Sequence, residues 1–163
     1  VVLLVSAVVL YPFARVPAKS PLTANWSLAP GQSTALLDEL LSNVYRALDF
    51  RNESVVYDQL AISVTGEQLT ETYLELRGAL ELENRGGARA RVDQLDVLEV
   101  GPVRPDGEGG FTVKAKWQAG GSVSHFGHTH YRQNINVANL TLVPVDGFWK
   151  IQEIETLEER RVY

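Results

Sequence analysis

Neither cysteine nor methionine occurs in the 163 residues, and histidine occurs only three times. Without cysteine there is no disulfide framework, no thiolate zinc site, no iron–sulfur cluster and no thiol nucleophile. Domains that do without disulfides occur in every compartment, so this absence does not choose a location. The missing methionine includes the initiator, and with it comes the expectation that the natural chain begins upstream of Val1. Basic blocks are lacking as well. Fifteen Lys and Arg are scattered among 20 Asp and Glu, for a net charge of -5. A chain charged in this way does not track phosphates, and nucleic acid is not an expected partner.

What the chain does have, at its start, is an apolar run with no charge before Arg15. A helix that crosses a bilayer needs about twenty such residues. Residues 1–14 are therefore read as the end of a transmembrane anchor, with Val1, Leu3, Leu4, Val8 and Leu10 in lipid and Tyr11 and Phe13 at the interface. Pro12 and Pro17 end that helix. A secretory leader is the competing reading, but the small-residue cleavage pattern it requires is missing. Residues 15–30 are rich in Pro, Ser, Ala and Asn and form a semi-rigid tether, whose Trp26 is expected to pack on the domain or on a neighbouring subunit. Arg15 and Lys19 flank one end only, so charge alone leaves the side of the membrane open.

Residues 31–163 are the size of one domain, and 45% of the chain is hydrophobic, enough for a core without metals. Leu36, Leu37, Leu40, Leu41, Val44, Tyr45 and Leu48 recur at helical spacing, with Ser33 or Thr34 as the cap. A shorter helix starts at Asn52 and turns Val56, Leu60 and Ala61 inward. Thr65 and Gln68 have capping-box spacing before a third stripe, Leu69, Tyr73, Leu76 and Leu80, which stops near Gly87. The period then changes to two. Val92 to Val100 form a strand with an irregularity, residues 102–110 form a turn, and Phe111 to Ala119 alternate as a strand with one wet face. Gly120-Gly121 reads as a bend or bulge. Residues 122–143 read as one long run, residues 144–147 as a tight turn and residues 148–157 as the closing strand.

The expected fold is α+β: an N-terminal transmembrane helix, then three helices packed on a curved, mostly antiparallel, four-stranded sheet. This order, together with Asp146-Gly147-Phe148-Trp149-Lys150-Ile151 opening the last strand, resembles the nuclear-transport-factor-two-like superfamily, the cystatin-like cone-shaped α+β fold. The likeness spans residues 33–157. An anchor joined to such a domain also looks like the periplasmic inner-membrane component of type IV secretion systems, which implies a single-pass membrane protein with an extracytoplasmic, periplasmic domain. Enzymes of the superfamily place a carboxylate or His in the cone beside a Tyr or second acid. The candidates here are Tyr45, Tyr57, Asp58, Tyr73, His128 and His130, and none falls in a catalytic motif of the family.

One polar stretch, residues 122–134, holds all three histidines. His128 and His130, two apart on a strand, share a face and are the candidate metal ligands, whereas His125 would point away unless a bulge at Gly127 rotates it into register. Arg132 follows on the His128 face, where a cation opposes a divalent ion, and no carboxylate completes the set, so no metal or other cofactor is expected. The remaining reading is a docking edge, in which Phe126 and Tyr131 are aromatic anchors among the polar groups His125, His128, His130 and Arg132.

Two functions follow. The first is a non-catalytic accessory subunit whose anchor fixes its address and whose domain docks on other subunits of a membrane protein complex. The second is a cone that holds a small apolar ligand, or a metal through His128 and His130, with enzymatic use of the site. A cavity lined by Tyr73, Trp117 or His128 favours the second, and a cone filled by side chains favours the first.

Overall fold

A computed structural model describes residues 30–85, 87–106, 109–125 and 127–162, with the side chains of 30 and 82–84 left aside. The anchor of residues 1–14, Trp26 and Phe126 lie outside the described residues. Among the described residues no helix is long and apolar enough to cross a membrane.

Three helices come first: α1 (Pro30–Arg46), which runs on into a 3-10 turn at Ala47–Asp49, α2 (Glu53–Ser63) and α3 (Gly66–Asn84). Pro30 stands at the head of α1, where its fixed φ and missing N–H cost nothing, so Ser33 and Thr34 lie inside the first turns and not at the cap. Asn52 caps α2 as expected, its side-chain oxygen accepting from the Ser54 N–H at 3.0 Å. Gln68 does not close a capping box. Its Oε1 instead accepts the Ile154 N–H at 2.8 Å, which ties the start of α3 to the sheet.

The sheet has five antiparallel strands and not four: β1 (Arg89–Val100), β2 (Arg104–Pro105), β3 (Phe111–His125), β4 (His128–Val145) and β5 (Phe148–Arg161), ordered β1-β3-β4-β5 with β2 beside β3. The extra strand lies inside the segment read as a turn, where Arg104 pairs with Thr112 and Pro105 with Phe111. Proline is tolerated there because the strand is short and at an edge. The long run of residues 122–143 is broken by a hairpin between His125 and His128, which pair with each other, with Gly127 at φ 80. Strand β5 reaches Arg161, opposite Asn134, four residues beyond the expected end at 157.

Strands β3 and β4 pair without a register shift, whereas β1 and β5 each carry two irregularities against them. Extra residues in one strand of a pair bend it, so the bending falls in the outer strands. Gly120-Gly121 is neither bend nor bulge but continuous strand, and the irregularity lies opposite, between Val92 and Gln94. The β4–β5 turn, Asp146-Gly147, has positive φ at both positions, 50 and 84, as the twist of a two-residue hairpin requires.

The inner face of the sheet carries the helices. Leu37, Leu40 and Leu41 of α1 pack on Phe111, Val113, Ala115 and Trp117 of β3, Ala138, Leu140 and Leu142 of β4, and Ile151 of β5. A second cluster, Ala47, Val56, Leu60, Val64 and Leu69, joins the helices to one another. Where α2 meets α3 the chain is stitched to β5: Thr65 N–H donates to the Ile151 carbonyl at 2.9 Å and Lys150 Nζ to the Ala61 carbonyl at 2.5 Å.

Candidate functional site

The helices cover only part of the inner face. Along β4 that face runs Leu142, Leu140, Ala138, Asn136, Asn134, Arg132, His130, His128, because residues directly opposite in an antiparallel pair share a face and these oppose Phe111 through His125. The first three are buried, Asn136 and Asn134 are half-buried, and Arg132, His130 and His128 are exposed. The sheet therefore extends past its helical layer. Sequence to this point fixes packing, and beyond it leaves a polar inner surface.

At that boundary lies a cavity of about 570 Å³. Its floor is small and apolar, from Ala90, Val92, Ala119, Gly121 and Val123, and its polar groups are Tyr45, Arg132, Asn134, Asn136, Glu159 and Arg161. Gly121 is required in that floor, since a Cβ there would run into the Arg91 backbone. Tyr45 closes the helix side: its hydroxyl accepts from Trp117 Nε1 at 3.1 Å. Burial pushes the Tyr45 phenol up, the Trp117 hydrogen bond pulls the other way, and the Glu159 charge adds to the rise. Asn134 Nδ2 donates to Glu159 Oε1 at 3.0 Å. The Asn136 Nδ2 amide is buried and has no hydrogen-bond partner. A buried donor left unpaired costs about 1–3 kcal/mol, and a ligand acceptor that met it would recover that energy.

Arg91, also at the rim, is engaged by Asp93 at 3.1 Å and Asp49 at 3.8 Å. The lining holds Arg91, Arg132 and Arg161 and one carboxylate, Glu159, a local excess of positive charge in a chain whose net charge is -5. A larger depression, about 770 Å³, lies on the outer face among Lys114, Lys116, Glu99, Glu158, Arg160, Ile135 and Val137. Its charges alternate in sign, Lys116 is already bonded to Glu99 at 3.0 Å, and it has no orphaned buried group. The inner cavity is therefore the better candidate.

The stretch of residues 122–134 divides between the two faces. Arg132, His128 and His130 lie on the inner face, and so does His125, because the hairpin places it opposite His128. His125 therefore does not point away: a hairpin, and not the bulge at Gly127, brings it into register with His128. The His125 and His130 rings have centroids 5.3 Å apart, tilted by 31°. Tyr131 is on the outer face, half-exposed, with its hydroxyl over Gly120. The other acid–base candidates are elsewhere. Tyr57 and Tyr73 meet edge to face at 5.4 Å on α2 and α3, where Asp58 is also exposed. The Glu53 carboxylate, which accepts the Tyr73 hydroxyl proton at 3.0 Å, holds that phenol above its ordinary value, and burial adds to the rise. A phenol moved upward is a poorer proton donor near neutrality. Neither Tyr73, Trp117 nor His128 lines the inner cavity, and the space between α1 and the sheet is filled by side chains. Sequence reasoning missed Asn136, Glu159 and Arg161 as site residues; only the full length of β5, unseen in the sequence, brings the last two there.

No family model matches the chain, and no curated protein matches it. Among solved structures it is similar to the intermembrane space region of the chloroplast protein ARC6, at 14% identity and a TM-score of 0.55, over 80% of this chain and 98% of that one. It is also similar to Aln2 from a Streptomyces species, at 15% identity and a TM-score of 0.46, over 80% of this chain and 94% of that one. The likeness to the ARC6 region shows the fold, α+β with helices on an antiparallel sheet.

Proposed function

We propose that the chain is a non-catalytic, membrane-anchored accessory subunit whose domain docks on a larger membrane protein complex through the inner face of its projecting sheet. The partner is an extended protein segment carrying a carboxylate. One observation carries this reading: the polar cavity beyond Tyr45, with Arg132, Arg161 and the unpaired Asn136 amide, stands at the end of a cone otherwise filled by side chains. Charge complementarity selects an acidic segment, and an acceptor on Asn136 removes the cost of its buried donor. The apolar leading segment, residues 1–14, supplies the address, and the tether of residues 15–30 holds the domain off the lipid, in a periplasmic or other extracytoplasmic space. The solved neighbour ARC6 displays this kind of fold in an intermembrane space, a comparable setting. The resemblance to the nuclear-transport-factor-two-like superfamily belongs to the same reading.

The test is purification of the full chain in mild detergent, with mass spectrometry of what it retains. Other membrane subunits are expected to travel with it and to be lost from an Arg132→Glu, Arg161→Glu variant of unchanged thermal stability. A chain that purifies alone and monodisperse contradicts the proposal. A second reading, a small carboxylate ligand in the same cavity, is favoured by its volume, which lies within the range of about 300–1,000 Å³ usual for ligand sites; a bound small molecule in native mass spectra would select it.

A further inference from the structure

We infer that the tip of the β3–β4 hairpin is a transition-metal site in which the imidazoles of His125 and His130 bind one divalent ion. The site lies on the same inner face as the docking surface, beyond Arg132, and stands on three observations. First, the register puts His125, His128 and His130 on one face, His125 opposite His128 and His130 opposite Val123, so all three of the chain's histidines meet within two rungs. Second, the His125 and His130 ring centroids are 5.3 Å apart. Two imidazoles on one ion, each nitrogen about 2.1 Å from it at a tetrahedral angle, hold their ring centres about 5 Å apart. The observed spacing of the two rings is compatible with both binding one ion. Third, the rung between them is pinned on the outer face by a hydrogen bond of 2.9 Å between the Ser124 and Thr129 hydroxyls, which fixes the two strands that carry the rings.

Among the described residues no three ligating side chains already converge on one point. The preformed part is therefore the His125–His130 pair, and the exposed His128 side chain swings in as a third nitrogen once an ion is present. Arg132, the cation on this face, opposes Gly121 two rungs further along, on the side of His130 away from His125. It weakens the site without occupying it. An all-nitrogen set selects ions that prefer imidazole, Zn²⁺, Cu²⁺ and Ni²⁺, over the oxygen-seeking Ca²⁺ and Mg²⁺.

Titration of the full chain in detergent with Zn²⁺ and, separately, Cu²⁺ reads this directly, with Mg²⁺ as the control. Saturation at one ion per chain is expected for Zn²⁺ and Cu²⁺, and none for Mg²⁺. Losing a ligand should cost at least as much as losing a supporting residue, about 10–100-fold in affinity, so His125→Gln and His130→Gln should each weaken binding by that factor and the double variant should abolish it. The Cu²⁺ form is expected to show coupling to imidazole nitrogen in its electron paramagnetic resonance spectrum, lost in the double variant. Both rings lie outside the core, so metal-free thermal unfolding should be unchanged by these substitutions. Failure to saturate, or undiminished binding by the double variant, would overturn the assignment.

Discussion

Two adjacent glycines in β3 should respond in opposite ways to the same added methyl group. At Gly121 an alanine Cβ would fall on the carbonyl, and within contact of the Cα of the next residue, of the β1 backbone at Arg91 and Val92. Backbone held in a ladder cannot step aside without breaking the pairing of Arg91 with Ser122 and Val92 with Gly121. At Gly120 the same atom would meet the Tyr131 hydroxyl, the far end of a side chain that is 53% exposed and free to swing into solvent. Overpacking against an immobile neighbour costs about 1–3 kcal/mol, and the backbone contact places Gly121→Ala at the upper end. For a domain of this size that is a fall in Tm of roughly 10 °C. Gly120→Ala should stay within about 1 kcal/mol, because the strand gains a side chain as it displaces the tyrosine. Circular dichroism melts of the full chain in detergent measure both. Equal losses, or a tolerated Gly121→Ala, would refute the close approach of β1 to β3 and with it the floor of the inner cavity.

Tyr45→Phe leaves the Trp117 Nε1–H without its acceptor and should cost about 1–3 kcal/mol in denaturant unfolding. Gln68→Ala removes the acceptor of the Ile154 N–H and should cost a similar amount, about 1–2 kcal/mol, seen as faster hydrogen exchange at Ile154. Tyr45 and Tyr73 both have phenols raised above their ordinary value of 10.0. The folded state holds those protons more tightly than the unfolded chain, so their contribution is complete below pH 10.0 and is lost as the pH climbs through the raised values. Denaturant midpoints should accordingly fall above about pH 10, less steeply in Tyr45→Phe; a midpoint that rises there contradicts the sign.

The helical half of the fold was legible because burial and periodicity coincide: the stripe of Leu37, Leu40 and Leu41 is the stripe that packs on the sheet, and Asn52 caps the helix it precedes. The alternating run from Phe111 to Ala119 is legible for the same reason. What failed is register. The polar stretch from Ser122 to Asn134 has no apolar face to fix its pairing, so the sequence offered nothing to locate a hairpin beyond a single glycine, Gly127. That one turn decides whether His125 joins the other two histidines or opposes them. The end of β5 was illegible too, since Glu158, Glu159, Arg160 and Arg161 are all exposed and their charge pattern reads as solvated surface, although Glu159 and Arg161 line the cavity. Residue order located the core; the site required knowing which strand lies beside which.

Asn134 and Gln133 are neighbours in sequence and lie on opposite faces of the sheet, Asn134 opposite Ala119 and Gln133 opposite Gly120. Placing a photo-crosslinking amino acid at each position in turn, in the full chain in its native membrane, compares the two faces directly. Docking through the inner face requires the probe at Asn134 to capture one defined membrane subunit and the probe at Gln133 to capture little or none. Equal capture from both positions, or capture from Gln133 alone, contradicts it.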